Sequence, residues 1–119
     1  MDIQFSDQDL AFKKEVQTFL AEAWTEDLET SMADAGSGKQ ARIEWQQRLF
    51  RRGWVAPGWP VEHGGTDWSP TQSYIWETER ARVGAPDVSP FGLKMVGPVI
   101  YAFGSDEQKQ RFLPRILNS

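Results

Sequence analysis

The sequence predicts an all-α, multi-helical domain with one long ordered loop, and three observations carry the prediction. Apolar residues recur at three- and four-residue spacing in several separate segments, the signature of amphipathic helices. Helix-start residues (Ser6, Ser69, Ser105) and helix-stop residues (Gly53, Gly84, Gly104) bracket those segments independently. The composition, 39% apolar with 13% aromatic residues and six Trp in 119 residues, suffices for a packed core in one domain over residues 1–119. The expectation is four to six helices and no substantial sheet.

The first helix is expected over residues 6–24. Ser6 is a good N-cap, Asp9 sits at the third helical position, and Asp7 and Asp9 suit the positive end of the helix dipole. Leu10, Phe12, Val16, Phe19, Leu20 and Ala23 then form its inward stripe. Residues 25–39, acidic and then small and glycine-containing, read as a connection. A second helix follows over 40–52, with Ile43, Gln46, Leu49 and Phe50 on one side and Gly53 as C-cap. Arg51 and Arg52 suit its negative end and read as solvated helix-end charges rather than ligand-binding groups.

The stretch WVAPGWPVEHGGTDWSP, residues 54–70, holds three Pro, three Gly and three Trp. Pro and Gly exclude a regular helix, while the indoles are unfavourable in water, so the stretch should be an ordered, packed loop. His63, the sole His of the chain, has no Cys or second His nearby to make a metal set and reads as a structural or surface residue. Gly64-Gly65 fits neither GxGxxG nor GxxxxGK[ST] and is a weak phosphate-loop signal. Ser69, Pro70 and Gln72 restart helix with a capping box, and the helix should end at Gly84. Its Glu77 and Glu79 stand among Arg80 and Arg82 and read as ion-paired or solvated rather than catalytic.

Residues 91–103 hold Phe91, Leu93, Met95, Val96, Val99, Ile100, Tyr101 and Phe103, too apolar for a surface helix and too short for a membrane span. A helix buried in protein is expected here, closed by Gly104 in a left-handed C-cap, with Ser105 and Gln108 starting the next helix as a capping box.

Several function classes are excluded. A net charge of −4, with basic residues interspersed among acids, argues against a nucleic-acid partner. With no Cys there is no disulfide framework, thiol nucleophile or Cys-based metal site. The start MDIQFSDQDL lacks the basic and apolar regions of a signal peptide, and no run is long enough to span a membrane, so a cytoplasmic location is expected.

The succession GWVAPGWPVEHGG, WSPTQSYIWETERARVGAP and GPVIYAFGSDEQKQRFLPRIL resembles the N-terminal helical domain of the acyl-CoA dehydrogenase family. The motifs stand in the family's order and cover most of the chain. Two positions depart from the family pattern: Asp67 stands where Gly is usual, which bears on the loop's turn. Arg80 stands where an apolar residue is usual, which implies altered packing at one helix face with a neighbouring acid.

The resemblance implies a three-part subunit, in which this domain is followed by a middle β-domain and a C-terminal helical bundle. FAD and acyl-CoA would lie between them, in a homo- or hetero-oligomer completed by those domains or a partner subunit. The implied reaction is α,β-dehydrogenation of an acyl-CoA thioester. The family's catalytic Glu and nearly all its flavin contacts would lie beyond Ser119, so no residue here is assigned as catalytic and the isolated chain is expected neither to bind FAD nor to dehydrogenate.

What the resemblance places in this chain is part of the acyl-chain wall, on the helix containing Phe91, Met95 and Val99. These lie at i, i+4 and i+8 on one stripe, with Gly92 and Gly97 leaving room for a cavity; the alternative is that all three are plain core. A different class of function also stands: a stand-alone, non-catalytic helical binding or assembly module. If domains are missing, the chain should leave an apolar surface uncovered.

Overall fold

The computed structural model describes residues 4–88 and 95–118. Among them are six α-helices: α1 Asp7–Ala23, α2 Glu26–Ala33, α3 Gly38–Arg52, α4 Pro70–Arg82, α5 Gly97–Phe103 and α6 Asp106–Asn118. One 3-10 turn spans Val61–His63, and the described residues contain no strand. The loop between α3 and α4 is ordered and packed, with Trp54 and Trp59 buried.

The helix starts follow from local chemistry. Ser6 Oγ accepts from the Asp9 amide and the Asp9 carboxylate accepts from the Ser6 amide, both at 3.1 Å. Ser69 with Gln72 repeats the box at α4, and Ser105 with Gln108 repeats it before α6. Each box satisfies amide donors that the first helical turn leaves unpaired, contributing about 1 kcal/mol. The stops at Gly53 and Gly84 are left-handed, with φ of 84° and 75°.

Three expectations are corrected. Residues 25–39 are not wholly a connection, because α2 forms within them. Thr25 Oγ1 accepts from the Leu28 amide at 3.3 Å, the first turn is acidic, and buried Leu28 anchors the helix. Eight residues are too few to hold a helix by propensity, and packing of α2 on α3 supplies what the local pattern lacks. Consistently, α3 starts at Gly38, two residues ahead of expectation.

Gly104 is not left-handed: its φ and ψ are −73° and 159°. Glycine is required there by close approach instead, since a Cβ would stand 2.6 Å from the Ile100 carbonyl oxygen that accepts from the Gly104 amide.

The apolar segment is not a buried helix. Residues 91–94 lie outside the described residues. In the rest, Gly97 is buried and Ile100 and Tyr101 are half-buried, while Met95, Val96, Val99 and Phe103 are exposed. The reason is geometric: α5 packs chiefly on α6, through one face, and nothing among the described residues covers the opposite one.

The core is aromatic and centred on Trp54. Its ring meets Phe19 at 5.0 Å, Trp68 and Trp76 at 5.4 Å and Phe12 at 6.0 Å, mostly edge to face. Arg52 lies over the same ring at 4.1 Å and pairs with Glu15, so it is not a freely solvated charge; Arg51 pairs with Glu44 at 3.4 Å. Leu10, expected in the inward stripe of α1, is half exposed, whereas Phe12, Val16, Leu20 and Ala23 are buried.

Polar contacts fix the helices to one another. Buried Glu79 of α4 pairs with Arg82 at 2.8 Å and with Lys13 of α1 at 3.9 Å, the ion-paired role expected of it. Arg48 donates to the Ala23 carbonyl at 2.7 Å, satisfying the C-terminus of α1. Gln46 Nε2 donates to the Ile116 and Leu117 carbonyls at 2.8 and 3.1 Å, tying α3 to the end of α6. Trp45 Nε1 donates to the Pro86 carbonyl at 2.9 Å and fixes the chain leaving α4.

Candidate functional site

Of the stripe expected to face an acyl chain, Phe91 lies outside the described residues. Met95 and Val99 are present and side by side on the outer face of the α5 region, 58% and 59% exposed. Val96 and Phe103 extend the face, at 51% and 86% exposure, and Phe112 of α6 adds a half-exposed ring. These apolar side chains lie on the surface of the chain rather than in its core. α5 is held from behind by Tyr101, whose ring meets Trp59 edge to face at 5.5 Å and stacks on His63 at 5.9 Å. His63 is thus a packing partner that links the loop to α5.

The α3–α4 loop shapes the second feature. It folds on its own carbonyls: the Trp59 amide donates to Ala56, Gly65 to Pro60, and the Thr66 hydroxyl to Pro57. Asp67 takes the left-handed conformation at φ 54°, which Asp tolerates better than most residues, so the turn survives the departure from Gly. Between this loop, α4 and the chain that leaves α4 lies a cavity of about 300 Å³. Trp54, Trp59, Trp68 and Trp76 line it, with Ser73, Glu77, Arg80 and Asp87 as its polar side chains.

Arg80 meets its expected acid there. Its Nη2 donates to Glu77 at 2.5 Å and its Nη1 to the Ala85 carbonyl at 2.9 Å, while its Nε is buried with no hydrogen-bond partner among the described residues. Sequence reasoning did not find this cavity. The available signal was the crowding of four Trp into residues 54–76, which fits a packed loop and a walled cavity equally well.

The starts of α1, α4 and α6 are capped by their own serines and that of α2 by Thr25. Among the described residues no group of three His, Cys, Asp or Glu could hold a metal ion, and no helix is long and apolar enough to cross a membrane.

The model of the acyl-CoA dehydrogenase N-terminal domain matches residues 6–119. Acyl-CoA dehydrogenase IpdE1 of Mycolicibacterium smegmatis is 37% identical over 113 residues, covering 90% of this chain and 29% of that protein. Acyl-CoA dehydrogenase FadE26 of Mycobacterium tuberculosis is 37% identical over 120 residues, covering 98% of this chain and 30% of that protein. Among solved structures, the ChsE4-ChsE5 complex from Mycobacterium tuberculosis superposes with a TM-score of 0.74 at 32% identity, covering 99% of this chain and 29% of that one. The chain therefore spans about three-tenths of the length of the relatives it matches.

Proposed function

The chain belongs to the acyl-CoA dehydrogenase family, as its N-terminal domain, and from that premise we propose that it forms one wall of the acyl pocket in a complete flavin-dependent enzyme. The observation that carries the proposal is the exposed stripe of Met95 and Val99. An acyl tail needs apolar contact of sufficient length, and unbranched Met adapts to tails of different shape. Neither residue can move a proton, so their part is to bind the tail, exclude water and limit its length. Phe91 is proposed for the same wall.

The proton-abstracting carboxylate and nearly all the FAD contacts are assigned to the remainder of the enzyme, where bound FAD would supply the hydride acceptor. In keeping with the relatives' greater length and the multi-chain neighbour, the complete assembly is proposed as a homo- or hetero-oligomer, located in the cytoplasm.

The test is Met95→Trp in the complete enzyme, with turnover measured across acyl-CoA chain lengths. A wall role shifts the preference toward shorter chains. An unchanged length profile with lower thermal stability would assign the stripe to packing instead.

A further inference from the structure

We propose that Tyr101 is a positioning residue: through its ring the α3–α4 loop fixes where the outer face of α5 stands, and so sets the preference for acyl-chain length. The effect on substrate rests on the acyl wall proposed above; the anchoring of α5 does not.

α5 cannot hold its own place. It has seven residues and no side-chain hydrogen bond at its N-cap, and its exposed Val99 and Phe103 are covered by nothing among the described residues. A helix this short is not stable by itself in water, so its position comes from what packs behind it. Part of that support is α6. The other part is the half-buried Tyr101, whose ring meets Trp59 edge to face at 5.5 Å and His63 at 5.9 Å with planes 17° apart. Both pairs lie in the range where aromatic rings attract one another.

The loop that supplies those two rings is itself pinned. Trp59 is buried, its amide donates to the Ala56 carbonyl at 3.1 Å, and its own carbonyl presses on Gly65. The His63 and Gly65 amides both donate to the Pro60 carbonyl, at 2.9 and 3.0 Å. Tyr101 is therefore docked on a fixed platform. Tyr101 and Val99 are two residues apart, about 200° around the helix, so the ring and the wall face opposite ways. A displaced ring carries Val99 with it. Because an apolar pocket resolves one methylene of substrate by about tenfold or more, a small displacement of the wall is read as a change in length preference. Tyr101 acts through Val99 and does not touch the tail.

The anchoring is tested on the chain itself, by amide hydrogen exchange followed by NMR. The Gly104 amide, bonded to the Ile100 carbonyl at 2.7 Å, reports on α5. In Tyr101→Ala it should exchange about tenfold faster, the scale of two lost aromatic pairs, while α1 and α4 amides stay within about twofold. Ala is the strongest helix former, so a purely local effect of the substitution would run the other way. Tyr101→Phe keeps the ring and should keep the protection. Phe103→Ala, which removes an 86% exposed ring from the same helix, should not lower it. No protection of Gly104 in the unmodified chain, no loss in Tyr101→Ala, an equal loss in Phe103→Ala, or acceleration spread evenly over all helices would each overturn the anchoring.

The consequence is tested in the complete enzyme, with Met95→Trp measured alongside. Tyr101→Ala should reduce the kcat/KM discrimination between acyl chains that differ by two carbons by about tenfold, carried by KM, with kcat on the best chain kept within about twofold. Tyr101→Phe should restore the original profile. A role in folding alone would lower kcat by one factor at every length and leave the profile in place, which would overturn the length role. A profile moved by Met95→Trp and not by Tyr101→Ala removes the role of Tyr101 and leaves the wall standing. A profile moved by neither removes the wall, and the length role with it.

Discussion

Gly65 lies directly against the carbonyl of Trp59: a Cβ built on Gly65 would sit 1.5 Å from that oxygen and 2.5 Å from its carbon. Both atoms are backbone, so no side chain can yield to make room. Gly65→Ala should therefore force the loop apart and lower stability by more than about 3 kcal/mol, beyond the usual range for one substitution. Gly58, earlier in the same loop, is a control, since a Cβ there meets nothing within 4 Å. Gly58→Ala should change stability by less than about 1 kcal/mol. Urea unfolding of the two variants checks the pair; equal losses would mean that the close approach is not what holds the loop.

The outer face of α5 should make the chain self-associate. Phe103 is 86% exposed beside exposed Val99 and Val96, and removing such a surface from water is favourable at about 25 cal/mol per Å². Sedimentation velocity at rising concentration should show growing mass for the unmodified chain. Phe103→Glu should suppress that growth while leaving stability within about 0.5 kcal/mol, because the side chain contributes little to the core. A chain that stays monomeric at high concentration would instead favour a stand-alone module whose surface is not an interface.

Glu44 gives the fold a small acid dependence. The hydrogen bond from Arg48 holds its carboxyl below the ordinary value of 4.5, with the Arg48 and Arg51 charges adding to the effect against a smaller opposing push from burial. A depressed folded value means that the contribution is present above the unfolded value and is lost as pH falls through the folded one. The difference in urea midpoint between the unmodified chain and Glu44→Gln should thus be present near neutrality and shrink below about pH 4.5. A difference that stays constant into acid would place the effect of the substitution elsewhere, in packing or in the unfolded state.

The sequence by itself determined the helix boundaries that rest on neighbours in the chain. Ser6 with Asp9, Ser69 with Gln72 and Ser105 with Gln108 act over three residues, and Gly53 and Gly84 stop their helices by backbone freedom. These signals are local and need no knowledge of what packs where. The family was legible for the same reason, as the motifs are contiguous strings.

Tertiary structure decided which surfaces meet. α2 exists because it packs on α3 with Leu28 buried, and Gly104 is glycine because the Ile100 carbonyl approaches it, not because of a left-handed turn. The apolar pattern of residues 95–103 announced burial, yet a pattern cannot say whether the covering partner lies within the chain, and here Met95 and Val99 face outward. The cavity was equally hidden: Trp54, Trp68 and Trp76 come from a loop and a helix and meet Arg80 around one space only in the folded chain. Capping is fixed by bonds between near neighbours, whereas burial and cavity shape depend on residues far apart in sequence, and that is where local reading ends.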